Sequence, residues 1–299
     1  MLELSYQEVE TMDIVKIYEM FPTENDCIKH LERVRWKGQP RCPYCKSDAV
    51  TPLPKENRHH CNSCNTSFSV TVGTIFHHTH LSLQKWFLAL CIVLNAKKGI
   101  AARQLGRDLH VNRNTAWRID MKIRQAMNER EQRELLTGLV ECDETYIGGK
   151  PRPGSGEPCK RGRGTKKTPV VGMAEREGEI RAEVVKNRRL DSKNLKMLVR
   201  RNVDTKNATL ITDEYSGYIG IQRLMPHKIV DHSVWYVNGD AHTNTVESFW
   251  ALLKRGIVGQ YHKISLRHLP KYVDEFSYRW NHHQDEDLWA TTLQKAVEV

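Results

Sequence analysis

Across residues 83–94 the apolar positions Leu83, Trp86, Phe87, Leu90, Val93 and Leu94 recur at intervals of three and four. That spacing predicts an amphipathic or largely buried helix, ended by Lys98-Gly99. IAARQLGRDLHV and NRNTAWRIDMKIRQAM predict two more helices about a short turn at His110 and Val111, with Asn112 or Asn114 capping the last. In that last helix Trp117, Ile119 and Ile123 are expected to pack inward, with Arg113, Asn114, Arg118, Lys122 and Arg124 outward. Past Gly138 the period shortens. LVECDETYIGGK reads as a strand ending in a glycine turn, with Asp143 near its middle, and PVVGMAEREGEIRAEVVKN as a hairpin turning at Glu177-Gly178. LDSKNLKMLVRRNV is a helix with Asp191 near its cap. ATLITDEYSGY is a buried-type strand ending at Asp213, HKIVDHSV a short strand, and NTVESFWALLKRGI a helix carrying Glu247.

These elements predict a multidomain α+β and α/β chain. The divisions are an N-terminal helical segment over 1–30, a metal-binding ribbon over 31–76, a helix-turn-helix region over 77–134 and an α/β domain over 135–299. A Gly-, Pro- and Lys/Arg-rich loop interrupts the last over 151–169, and its Lys160 and Arg161 are candidate DNA contacts. The 299 residues suffice for two or three domains. No stretch has the roughly 18 consecutive apolar residues of a membrane span. The acidic start MLELSYQEVE lacks an apolar signal core, so a cytoplasmic, nucleoid-associated protein is expected.

Charge sharpens the picture. Forty-six basic residues against 36 acidic ones leave a net charge of +10. An excess of that size suits a polyanionic partner, most often nucleic acid. A three-helix unit with a polar, basic final helix is the arrangement that enters a DNA major groove, which makes Arg113, Asn114 and Arg118 candidate contacts.

Four of the eight cysteines form two tight pairs, Cys42/Cys45 and Cys61/Cys64, with fifteen residues between them. Two Cys-x2-Cys turns can place four thiolates on one structural Zn2+. A thiol redox pair needs only one such turn. His59 and His60 could substitute as ligands, though four cysteines already close the site. Cys27, Cys91, Cys142 and Cys159 have no partner at metal spacing.

Strands ending in Asp143 and Asp213, then a helix with Glu247, suggest an RNase H-like core. Such a carboxylate set can hold two hard cations for phosphoryl transfer. Each acid also has a plainer reading. Glu247 follows Asn244 by three residues, as in a capping box, Asp213 could be a turn residue, and Glu141 and Glu144 flank Asp143.

CPYC and CNSC, followed by VGTIF, DETYIGGK, TDEYSGY, HTNTVESFWALLKRGIVGQYHKIS and LPKYVDEFSYRWN, resemble the zinc-ribbon DDE transposases of bacterial insertion sequences, the group related to the Merlin transposons. The resemblance runs from about Cys27 to His283. It implies that Asp143, Asp213 and Glu247 bind catalytic Mg2+ or Mn2+. Some relatives carry asparagine at the third position, and the glutamate here favours full activity. Lys254, seven residues on and on the same helical face, is implied as a DNA-backbone contact, with Arg255 beside it. The expected partner is double-stranded DNA, both transposon ends and target, bound by a homo-oligomer. Water nicks the ends and the freed 3′-hydroxyl attacks target DNA. The rivals are a DNA-binding regulator with an inactive transposase-like domain and a metal-dependent nuclease without strand transfer.

Overall fold

The computed structural model describes residues 12–130, 134–149, 166–186, 190–230 and 242–298. Lys160, Arg161 and Cys159 lie outside them. Contacts divide the chain into one unit of Met1–Met127 with Gln284–Val299 and a second of Asn128–His283.

The first unit begins with helices α1 (Ile14–Met20) and α2 (Glu24–Trp36). Thr23 and Asp26 close the start of α2 with a reciprocal capping box. Strands β1 (Val50–Leu53), β2 (Arg58–Cys61) and β3 (Thr66–Phe68) form an antiparallel ribbon, with Val50 opposite Cys61 and Cys61 opposite Thr66. Helices α3 (Leu83–Asn95), α4 (Ala102–Asp108) and α5 (Arg113–Ala126) follow. The cap of α5 is Asn112, whose side chain accepts the Thr115 N–H.

Two inward and outward assignments on α5 are reversed. Arg124 is fully buried and pairs with buried Asp120 at 2.7 Å, while Trp117 is 37% exposed. Asp120 and Arg124 stand one turn apart and neutralise each other, so that face can go inside. The α/β domain expected over 135–299 also ends sooner. Helix α9 (Leu288–Glu298) belongs to the first unit, against α2, α3 and α5. Trp289 packs on Phe21, His30 and Phe87, and Ile75 donates its N–H to the Ala296 carbonyl.

The second unit is built on strands β4 (Leu136–Ile147), β5 (Thr168–Glu175), β6 (Ile180–Val184), β7 (Val203–Thr212) and β8 (His227–Ile229). They lie in the order β6-β5-β4-β7-β8, the first three antiparallel and the last two joined in parallel. This is the RNase H-like topology. Helix α6 (Ser192–Asn202) covers one face, with Asp191 as its cap. Helices α7 (Asn244–Gly256) and α8 (Leu269–Asn281) cover the other. Strand alternation sorts the side chains. Val140, Cys142, Val171 and Met173 enter the α6 core, whereas Val170 and Ala174 enter the α7/α8 core. Glu141 and Asp143 therefore point toward α7. Among the described residues no helix is long and apolar enough to cross a membrane.

Candidate functional sites

Each Cys-x2-Cys turn ends in a residue with left-handed backbone, Lys46 (φ 63°) after one pair and Asn65 (φ 54°) after the other. These turns fold the thiols inward. Cys42 and Cys64 Sγ lie 3.7 Å apart and Cys45 and Cys61 Sγ 3.5 Å, with all four within 4.8 Å of one another. Four sulfurs around one Zn2+ at about 2.3 Å stand about 3.8 Å apart. The thiols fit that ion. The Cys64 backbone N–H, followed by that of Ser63, helps lower the Cys61 thiol, while hydrogen bonding with Cys61 helps raise the Cys45 thiol beside it. The two histidines are engaged elsewhere: His59 Nε2 lies 2.9 Å from Glu32 Oε1, and His60 Nδ1 lies 3.1 Å from Ser67 Oγ. Cys27, Cys91 and Cys142 are buried in packing positions.

On α5, Arg113, Asn114 and Arg118 are exposed. Arg124 is removed from any such surface by its burial.

In the second unit a cleft of about 770 Å³ opens at the ends of β4 and β7. The parallel register pairs Cys142 with Thr212, so the next residues, Asp143 and Asp213, stand side by side. Both line the cleft, as do Glu144, Lys167 and Lys254. Trp250 Nε1–H donates to Asp143 Oδ2 at 3.0 Å. Its ring lies over Gly172, the β5 partner of Asp143, where an added Cβ would stand 2.5 Å from Trp250 Cζ2. Only glycine leaves room for the indole that holds Asp143. Burial, then the neighbouring Glu144 and Asp213 charges, push the Asp143 carboxyl up to about 7, against smaller opposing hydrogen bonds from the Glu144 backbone and Trp250. Asp143 and Asp213 offer carboxylate oxygens of the kind a hard divalent cation takes.

Asp213 keeps a turn role too, since its Oδ1 accepts the Tyr215 N–H at 3.1 Å. Glu247 stands apart from the cleft lining. It is exposed, and its Oε1 accepts the Thr243 hydroxyl at 3.0 Å. Among the described residues the four cysteines are the only metal-type set of three or more that closes within 4.8 Å. Arg255, next to Lys254, is exposed with its Nε–H on the Ala251 carbonyl.

Glu141 has a different position from the one its place beside Asp143 suggested. It is fully buried and caps α7, accepting the N–H groups of Thr245 (2.8 Å) and Val246 (3.1 Å) and the Thr245 hydroxyl. Arg176 Nε pairs with it at 3.1 Å. The helix start thus takes its carboxylate from β4, not from an Asn244–Glu247 box. The signal for this was alternation, which puts Glu141 on the same face as Asp143. On the other face, Tyr218 Oη donates to Glu144 Oε2 at 3.3 Å, a contact between distant segments that no local motif announces.

Residues 135–281 match the ISXO2-like transposase domain family, and residues 22–67 match the transposase zinc-ribbon domain family. A protein of Halobacterium salinarum described as an uncharacterized protein in transposable element ISH50 is 28% identical over 276 residues, spanning 87% of this chain and 91% of that protein. Among solved structures, the Mos1 transposase paired-end complex with the left transposon end covers 71% of this chain and 75% of its own at 14% identity and TM-score 0.30. The mariner Mos1 paired end complex with Mg covers 70% and 74% at 16% identity and TM-score 0.31. An overlap that low carries nothing about the site.

Proposed function

From the premise that the chain belongs to the zinc-ribbon transposases with an ISXO2-like domain, we propose that it binds the ends of an insertion sequence, cleaves them and joins the freed strand to target DNA. The observation that carries this reading is the pair Asp143 and Asp213, adjacent on parallel strands in a cleft that Lys254 also lines. Asp143, Asp213 and Glu247 would hold Mg2+ or Mn2+. Bound there, the cations supply charge neutralisation on the phosphoryl oxygens and activation of the attacking oxygen.

The chain's own groups position the reactants. Trp250 fixes Asp143, and Lys254 and Arg255 hold phosphates of the scissile strand. Water displaces the 3′-oxygen at the element's end, and that 3′-hydroxyl then displaces an oxygen at a target phosphodiester. One P–O bond forms for each one broken, and no side chain bonds to phosphorus. Arg113, Asn114 and Arg118 read the end in the major groove, and Lys160 and Arg161 add backbone contacts. Cys42, Cys45, Cys61 and Cys64 hold structural Zn2+. Copies of the chain assemble across two ends in the cytoplasm, on the nucleoid.

The test is incubation of the protein with DNA flanking its gene, with and without Mg2+, scoring both cleavage and joining. Metal-dependent joining that Asp143→Asn and Asp213→Asn each abolish is expected. Cleavage without joining would point to a nuclease, and end binding without cleavage to a regulator.

A further inference from the structure

A second cleft, of about 530 Å³, lies in the first unit. Two chain segments form it, the loop before α3 and the turn and helix from His110 to Lys122. Its lining includes His77, His78, His80, His110, Arg118 and Lys122, and none of its described lining residues is acidic.

The histidines are held, not loosely placed. Trp86 Nε1–H donates to Thr79 Oγ1 at 2.9 Å, fixing the loop from within, and Phe76 packs edge-on against Trp86 at 5.3 Å. The His77 and His78 rings stack at 4.0 Å. His78 (φ 56°) and His110 (φ 51°) both have left-handed backbone, which aims successive side chains differently from an extended segment. His110 is kept there by its N–H on the Arg107 carbonyl and by Val111 N–H on Gly106.

The ligand follows from this chemistry. Among the described residues no three of these imidazoles bring ring nitrogens within 4.8 Å of one another, so they do not close round a metal ion. Cationic and cationisable groups spread along a groove suit an anion with spaced charges. Arg118 and Lys122 are one helical turn apart on α5, and Arg118 also belongs to the exposed face with Arg113 and Asn114. A strand backbone lying in the groove would run beside the bases that this face reads.

We propose that the histidine-lined cleft is a phosphate-binding site that grips the sugar-phosphate backbone of DNA and tightens as pH falls. The inference rests on the DNA-binding reading of α5. Burial, then His78, Lys122 and Arg35, hold His77 below the ordinary histidine range in the free protein. His80, His110 and Arg118 line the same cleft. A bound phosphodiester opposes that repulsion and favours the imidazolium, so binding takes up protons and affinity rises with acidity.

The experiment measures binding of the full chain to a duplex carrying the element's end, at constant salt, at about pH 6 and about pH 8. Wild type is expected to bind about three- to fivefold tighter at the lower pH, the effect of a one-unit upward shift of one imidazole titrating near pH 6. His77→Gln/His78→Gln/His110→Asn should lose that difference, as should the single variant His77→Gln in large part, which covers a triple variant that fails to fold. Arg113→Ala, outside the cleft, should bind more weakly at both pH values with the ratio kept. A wild-type ratio preserved in a folded triple variant overturns the cleft, while leaving α5 as a DNA reader. No DNA binding by wild type at either pH overturns the α5 reading and the cleft together.

Discussion

Asp143→Asn removes a charge and little else, because asparagine keeps the shape and an oxygen for the Trp250 N–H. The Asp143 carboxyl moves from 3.8 in the unfolded chain to about 7 in the folded one, mainly through burial. The folded state therefore binds this proton more tightly than the unfolded state. The resulting stability is fully present below about pH 3.8 and is lost as pH rises through about 7. Three units at 1.36 kcal/mol each set an upper bound of about 4 kcal/mol on what the ionised carboxylate costs above neutrality. Asparagine escapes that cost. The variant should match wild type near pH 4 and exceed it by up to about 4 kcal/mol near pH 8, worth about 10 °C in the melting of a unit this size.

Calorimetry across that pH range, with and without Mg2+, checks the reasoning. Mg2+ should raise the melting temperature of wild type and leave the variant unmoved, since only the carboxylate gains a counter-charge. The same substitution should abolish cleavage and joining. A gain in stability with a loss of activity marks a charge kept for chemistry. If the variant is no more stable at pH 8, or its gain is the same at every pH, the account of Asp143 is wrong.

Four further outcomes are expected. Glu141→Ala leaves two α7 amides and Arg176 without their buried carboxylate and should cost about 3–5 kcal/mol by chemical denaturation. Gly172→Ala should push Trp250 off Asp143 and lower joining by about 100-fold with the fold retained by circular dichroism. On α5, Arg118→Ala should weaken end binding by about 1–3 kcal/mol without altering melting, whereas Arg124→Ala should lower stability by about 3–5 kcal/mol. Metal analysis should find roughly one zinc per chain in wild type, and Cys42→Ser/Cys61→Ser should remove it and melt the ribbon.

The ribbon was legible because ligand spacing is a local property. Two turns of fixed length must meet, and their sulfurs do. The RNase H-like core was nearly as open, since two strand-like segments carry Asp143 and Asp213 and a helix with Glu247 follows them. What stayed hidden was burial of polar groups. A helical pattern reads Arg124 as solvated, and only the tertiary setting reveals that Asp120 neutralises it inside. Glu141 looked like a spare acid until α7 brought its bare amides to it. The place of α9 could not be read from adjacency in sequence, because its partners lie some two hundred residues earlier.

That last helix ties the order of synthesis to the state of the first unit. Trp289, Leu293, Ala296 and Val297 are buried, and Trp289 sits among Phe21, His30 and Phe87. On the ribosome, the residues up to Met127 emerge before the second unit, and α9, which completes their core, emerges after it. A nascent or prematurely terminated chain ending before Leu288 would carry the cysteines and α5 with this aromatic cluster still open to water. Such a fragment is marked for proteolysis by its exposed Phe21 and Phe87. Loss of α9 should therefore weaken the first unit even though most of that unit lies far earlier in the chain.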